Sequence, residues 1–509
     1  MRNHSLVRLS RRAFLSGTAA LAAGAGNVAA AGEEEIDVLL ENGTIVDGSG
    51  DNRFRGDVGV RGDKIVAVGT IPNSDAAKRI DCTGLVICPG FIDAHTHCDR
   101  TLVREKSNIN LPYITQGVTT VVTGNCGLGP ADVSAFIRTL AENGAGTNCV
   151  PLLPYGPVRA EVMHNAPRRA TADEMRTMRR RLDAALDAGA RGLSMGLYYD
   201  WNRHADTDEV AEIAQGLEGR GILAVHMRDE GDRLLESVEE MIEVQRRTNV
   251  PIQISHFKAS GKMNWGKLSK AAELVEAARA EGRWITADQY PYTASSTHLG
   301  AYLLPFADIP GDHAKLAERM AADPEFRGHV AKVVARQLDR YEKILVPSRG
   351  KTLRDIAQAE KRDVCDIAVE LQSHGVVGFS MSEEDVRDAM VRDWVVTGSD
   401  GPVAHPRTYG TFTRKIGRYC LRDKLMPLER VIHQSTGKTA EIFQLAGRGI
   451  LRPGWFADIT VFDENRLIDR ADFSHPARYS EGIEYVLVNG RFALEKGKPN
   501  GALAGRPLT

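Results

Sequence analysis

Two histidines stand two residues apart in Asp93-Ala94-His95-Thr96-His97, just after the apolar run GLVICPGFI. Alternate residues of a strand share a face, so both imidazoles can leave the strand on the same side. Neutral imidazole is a good ligand for zinc. The pattern then recurs along the chain. Cys126 follows VTTVVTGN, His226 follows GILAV, His256 follows PIQIS and Asp400 follows WVVTGS. Any one of these could be an ordinary packed residue. Four histidines, a cysteine and an aspartate closing successive apolar runs point instead to a metal centre.

The residue types suggest a division of labour. His226, His256 and Cys126 can offer two nitrogens and one thiolate to a single zinc ion, leaving a fourth position for water. His95, His97 and Asp400 can form a second, weaker position that shares the Cys126 sulfur. A metal there would make Cys126 a thiolate ligand and not a nucleophile. Asp400 is the candidate for proton transfer, because a carboxylate beside activated water can take its proton and return it to a departing nitrogen. Amide or ester hydrolysis fits this set, and nothing in it requires a serine nucleophile.

The elements that must carry these groups alternate. Eight apolar strand candidates occur between residues 85 and 400: LVICPGFIDAH, VTTVVTGNC, TNCVPLLPYG, RGLSMGLYYD, ILAVH, PIQISH, WITADQY and WVVTGSD. Amphipathic helical stretches such as 172–188, 233–247 and 269–281 lie between several of them. Such alternation predicts parallel strands covered by helices, and eight strands fit a closed (β/α)8 TIM-type barrel. Barrels place their chemistry at the carboxyl ends of the strands, where all six residues fall. The interval before the last strand is too long for one helix and predicts an insertion around 302–375 beside the site. Both chain ends read as short strands with glycine turns, predicting a small β-sandwich built from 32–88 and 448–509 around a barrel of 89–447.

The first residues read differently. Arg2, Arg8, Arg11 and Arg12 precede an apolar stretch over 13–25, and Val28-Ala29-Ala30 closes it with small residues. Ser10-Arg11-Arg12-Ala13-Phe14-Leu15 resembles a twin-arginine signal, so residues 1–31 are expected to direct export to the periplasm or beyond. That stretch is too short and too rich in Ala and Gly for stable membrane insertion. With 42% hydrophobic residues, 26% charged residues and a formal net charge of -2, the chain has no electrostatic reason to bind nucleic acid. No GxGxxG or Walker loop suggests a nucleotide cofactor. Seven cysteines form no CxxC pair, and a chain of this size needs no disulfide staples.

The stretches GFIDAHTHCD, TTVVTGNCGLGPAD, AVHMRDEG, QISHFKASG, DQYPYTASST, VTGSDG and HPRTYGTFTR resemble the N-acyl-D-amino-acid deacylase (D-aminoacylase) family of the amidohydrolase superfamily. The resemblance runs over nearly the whole chain after the leader. It implies a tight Zn2+ held by Cys126, His226 and His256, a second position lined by His95, His97 and Asp400, and Asp400 as acid–base. It also implies that Lys258, Tyr290, Ser296 and Arg407 grip the carboxylate of a small N-acyl amino acid, and that Arg228 and Glu230 support His226. Ala224 and Val225 depart from the family, which usually has a hydroxyl residue just before this histidine. Two other readings stay open on the same barrel. One is a dipeptidase, cyclic-amide hydrolase or lactonase, and the other is a catalytically inactive exported binding protein.

Overall fold

The computed structural model describes residues 35–72, 75–401 and 405–509. The export leader expected over 1–31 lies outside these residues. Eight parallel strands form the barrel: Phe91–Asp93, Val118–Thr123, Asn148–Pro151 (continued by Leu153–Pro154), Gly192–Gly196, Ile222–His226, Ile252–Ile254, Ile285–Gln289 and Val395–Thr397. The last strand meets the first through Ala94 N–H to Thr397 O at 3.1 Å and Asp400 N–H to His95 O at 2.7 Å, which closes the ring. Every residue of these strands is buried. Helices cover the outer face and side chains fill the inner one, so the strands are rich in apolar residues, with buried polar groups such as Gln253, Thr286 and Asp288 among them.

The covering helices follow ordinary end rules. The helix Ala172–Asp187 starts with a capping box in which Thr171 and Glu174 satisfy each other's backbone N–H groups. It buries Met175, Met178, Leu182 and Ala185, a stripe of helical period, against the barrel. Gly398 lets the last strand come close to the first: a Cβ there would lie 2.9 Å from His95 Cβ and 2.8 Å from Asp288 Oδ1.

Strands from both chain ends form one nine-stranded sheet. Its seam pairs Val86–Pro89 antiparallel with Ile459–Phe462, bringing Cys88 opposite Thr460. Val38, Ile45, Val58, Ile87, Ile459 and Leu487 share one apolar cluster, so both termini fill a common core. The chain end reaches further than the expected small domain. Cys149 N–H donates to Arg506 O and Leu508 N–H to Cys149 O, laying the last residues along the third barrel strand.

The expected insertion of 302–375 sits inside a larger unit. Its sheet is framed by Ala294–His298 and Gly375–Phe379, with Lys343–Val346 and Lys351–Thr352 beside them. Its helices pack on their own cluster, including Leu303, Val330, Val334, Ile356 and Ile367. Among the described residues no helix is long and apolar enough to cross a membrane, and all seven cysteines are buried and unbridged.

Candidate metal centre

The strand ends bring the six residues to one place. Cys126 Sγ lies 3.3 Å from His95 Nε2, 3.5 Å from His256 Nε2 and 3.8 Å from His226 Nδ1. Asp400 Oδ1 lies 3.1 Å from His97 Nε2 and 3.6 Å from His95 Nε2. A tetrahedral zinc with nitrogen at about 2.0–2.1 Å and sulfur at about 2.3 Å holds neighbouring ligands about 3.3–3.6 Å apart. The donor types and their spacing around Cys126 therefore fit zinc. Three donor sets each converge within reach of one ion: His95, Cys126 and His256; His95, His97 and Asp400; and His226, Glu230 and His256. His95 stands in the first two, where the residue types placed it only with His97 and Asp400.

The backbone is bent to achieve this. Cys126 has φ 54°, His256 φ 38° and Asp400 φ 48°, all in the left-handed region that side chains normally avoid. Each such residue costs about 1–3 kcal/mol and persists only where the surroundings hold it. The turn swings each side chain off the strand and into the barrel mouth. Gly127 makes room beside Cys126, since a Cβ there would meet Asn202 Oδ1 at 2.4 Å.

Burial alone would raise the Cys126 thiol, but the charge of His95 and hydrogen bonds with His226 and His256 hold it well below its usual value. Burial would likewise raise Asp400, and Arg407 with the surrounding histidines holds it well below the usual carboxylate range. Both groups are set to be anionic, as metal ligation requires. Asp93 behaves in the opposite way: burial pushes it up to about 7, and its Oδ1 accepts from the N–H groups of His95 and Ser399.

A cavity of about 1050 Å³ opens over this cluster, lined by His97, Cys126, His226, His256 and Asp400 and walled by the inserted unit. Arg407, Lys258 and Ser296 also line it, whereas Tyr290 lies behind Arg407 with its ring 4.4 Å from the guanidinium carbon. Arg407 is fully buried, with Nη2 2.9 Å from Asp400 Oδ2. Even so, none of its side-chain nitrogens makes a well-aligned hydrogen bond among the described residues, and the Tyr290 hydroxyl is also unpartnered. Asp400 offsets the charge of Arg407 at Nη2, and Nε and Nη1, without a partner among the described residues, remain for an anion. Lys258 is engaged elsewhere, with Nζ 2.7 Å from Glu230 Oε1 and 2.8 Å from His256 Nδ1. Glu230 reaches the histidines, but Arg228 turns away to Glu240 and the carbonyls of Arg203 and Ala205.

Asp288 was not among the residues singled out by sequence. Its Oδ1 lies 3.3 Å from His95 Nδ1 and accepts the N–H of His256 at 2.9 Å, tying two ligand-bearing strands together. The signal was present, because Asp288 is a carboxylate near the carboxyl end of the strand Ile285–Gln289. GLSMG on the fourth strand has the spacing of a serine-hydrolase elbow. Ser194 is buried inside that strand, however, and bonded to Gly124 O and Gly127 N–H, so it is no nucleophile.

An amidohydrolase family model matches residues 78–339 and 373–493. The D-aminoacylase of Alcaligenes xylosoxydans xylosoxydans is 36% identical over 93% of this chain and 98% of its own length. The chain belongs to the amidohydrolase family, in its D-aminoacylase branch. This amidohydrolase is also 34% identical to the N-acyl-D-aspartate deacylase of the same organism, over 90% of this chain and 92% of that protein. A crystal structure of N-acyl-D-glutamate deacylase from Bordetella bronchiseptica, complexed with zinc and a phosphonate mimic of the tetrahedral intermediate, matches its fold with TM-score 0.81. That match has 31% identity and covers 93% of this chain and all of the other.

Proposed function

We propose that the chain hydrolyses N-acyl-D-amino acids to a carboxylate and a free D-amino acid, with zinc as its metal. The observation that carries this reading is Arg407, a fully buried cation that pairs with Asp400 through Nη2, has no partner for Nε and Nη1 among the described residues, and lines the same cavity as the Cys126 cluster. A linear N-acyl amino acid supplies both of the groups such a cavity needs, a scissile amide and a carboxylate. Its membership of a branch whose named relatives act on N-acyl-D-amino acids supports the chirality.

Cys126, His226 and His256 would hold the ion, with His95 beside them. Zinc bound there lowers the pKa of water and stabilises the negative charge that develops on the amide oxygen. The chain's own groups do the rest. Arg407 and Ser296 bind the substrate carboxylate, and the Tyr290 ring supports the guanidinium from behind. Asp400 takes the proton of the attacking water and passes it to the amide nitrogen as the C–N bond breaks. A carboxylate that takes up the free N–H groups of Arg407 draws positive charge away from Asp400 and makes it a better base. The inserted unit, with Tyr302 and Tyr341 on the cavity wall, limits access of bulk water.

A substrate-class screen separates this reading from its rivals. Zinc-loaded protein should release amine from N-acetyl-D-amino acids faster than it opens cyclic amides or lactones or cleaves dipeptides. Turnover of cyclic amides, lactones or dipeptides alone would contradict the proposal.

A further inference from the structure

Glu230 touches more of the metal centre than the chemistry above uses. It lies four residues beyond His226 and is buried. Its Oε1 is 2.9 Å from His256 Nδ1 and 2.7 Å from Lys258 Nζ, while its Oε2 is 3.4 Å from His226 Nε2. Both imidazoles therefore lie between Cys126 and Glu230. They do so through opposite atoms: His226 turns Nδ1 to the sulfur and His256 turns Nε2.

An imidazole that ligates through one nitrogen carries its proton on the other, and the partner of that proton decides which nitrogen is free. With zinc on His226 Nδ1 and His256 Nε2, the remaining imidazole protons would sit on His226 Nε2 and His256 Nδ1, toward the two oxygens of one carboxylate. Lys258 Nζ, 2.8 Å from His256 Nδ1, would then have to turn wholly to Oε1. Lys258 completes the arrangement, since Nζ also donates to His256 O at 3.1 Å and holds Oε1 where His256 needs it.

From this geometry we infer that Glu230 is a positioning residue for zinc that selects the tautomers of His226 and His256 together. Lys258 serves it by holding the carboxylate. The inference rests on the zinc reading above. Glutamine cannot replace Glu230, because an amide offers one acceptor and one donor where two acceptors are needed. One imidazole then loses its partner or turns to the tautomer that cannot ligate. Aspartate keeps the charge beside Lys258 but is one methylene too short to span both rings. Asp232, the next acid on the loop, pairs with Arg340 and touches neither ring, so it serves as a control.

The test is zinc affinity of metal-free protein by competition with a chromophoric chelator, together with the visible spectrum of the Co2+-substituted form. Glu230→Gln and Glu230→Asp should each bind zinc about 10–100-fold more weakly than the parent. Their cobalt bands should shift, while Asp232→Asn stays within about twofold. Metal-free melting curves like that of the parent establish that the variants fold. Parent-like affinity and an unchanged cobalt spectrum in Glu230→Gln would overturn the inference. Full affinity in Glu230→Asp would also overturn it, reducing Glu230 to a counter-ion for Lys258. Neither readout uses substrate, so failure of the deacylase reading would show separately, as a parent that turns over no N-acyl-D-amino acid.

Discussion

Asp400 divides its two oxygens between opposite neighbours, Oδ1 toward His97 and His95 and Oδ2 toward Arg407. Asparagine keeps the shape but cannot accept and return a proton. Asp400→Asn should lower kcat about 10²–10⁴-fold while the protein retains the zinc held at Cys126, checked by steady-state rates and metal analysis on one preparation. Unchanged turnover would remove Asp400 from the chemistry. The residues around it were legible in sequence to different degrees. Cys126, His226, His256 and Asp400 were visible because each breaks an apolar run at a strand end, where a polar group needs a reason. The sharing of His95 between two sets was not, because it depends on left-handed turns at Cys126 and Asp400 that strand periodicity does not encode. Lys258 and Tyr290 were found as residues, but their partners were not. Glu230 draws in the first, and the guanidinium of Arg407 lies over the ring of the second.

At the scale of elements, the eight barrel strands were readable because burial on both faces leaves short segments rich in apolar residues. The frame of the insertion was harder to place. Ala294–His298 and Gly375–Phe379 pair only with each other and with Lys343–Val346, across intervals that no local pattern links. One buried group in the helical segment Lys415–Arg422 has a measurable consequence. Lys415 Nζ donates to Thr397 Oγ1 at 2.9 Å and has no carboxylate in ion-pair range among the described residues. Burial, with Arg430 adding to it, brings its pKa down to about 7. The unfolded lysine titrates near 10.4, so between about pH 7 and pH 10 the unfolded state binds more protons and stability rises with pH. Below about pH 7 the full cost of burying the charge is present. Lys415→Met should therefore raise Tm by several degrees near neutrality, with Thr397 still bonded to Ser435 at 2.9 Å, and the gain should shrink toward pH 10. Melting curves across that range check it, and a gain independent of pH would contradict the buried charge as its cause.

Across the whole molecule, the barrel and the terminal sheet are bound into one framework by the chain ends. The seam between Val86–Pro89 and Ile459–Phe462 could be anticipated only as two β-rich ends, because a single sequence does not show which strands pair. The strap that returns residues 505–509 to the third barrel strand carried no sequence signal beyond its small size and two prolines nearby. We propose that the leader, with Arg11 and Arg12, exports the folded protein by the twin-arginine route. That route would let zinc enter before export. Replacing both arginines by lysine should leave the enzyme in the cytoplasm on fractionation, and undiminished export would exclude the route. The deciding measurement is kcat/KM of zinc-loaded protein on matched D and L N-acetyl amino acids with acidic, polar and apolar side chains. Amine release is expected from D substrates, lost on chelation and restored by zinc. Equal or faster hydrolysis of the L enantiomers, or turnover that survives complete removal of zinc, would contradict the deacylase reading.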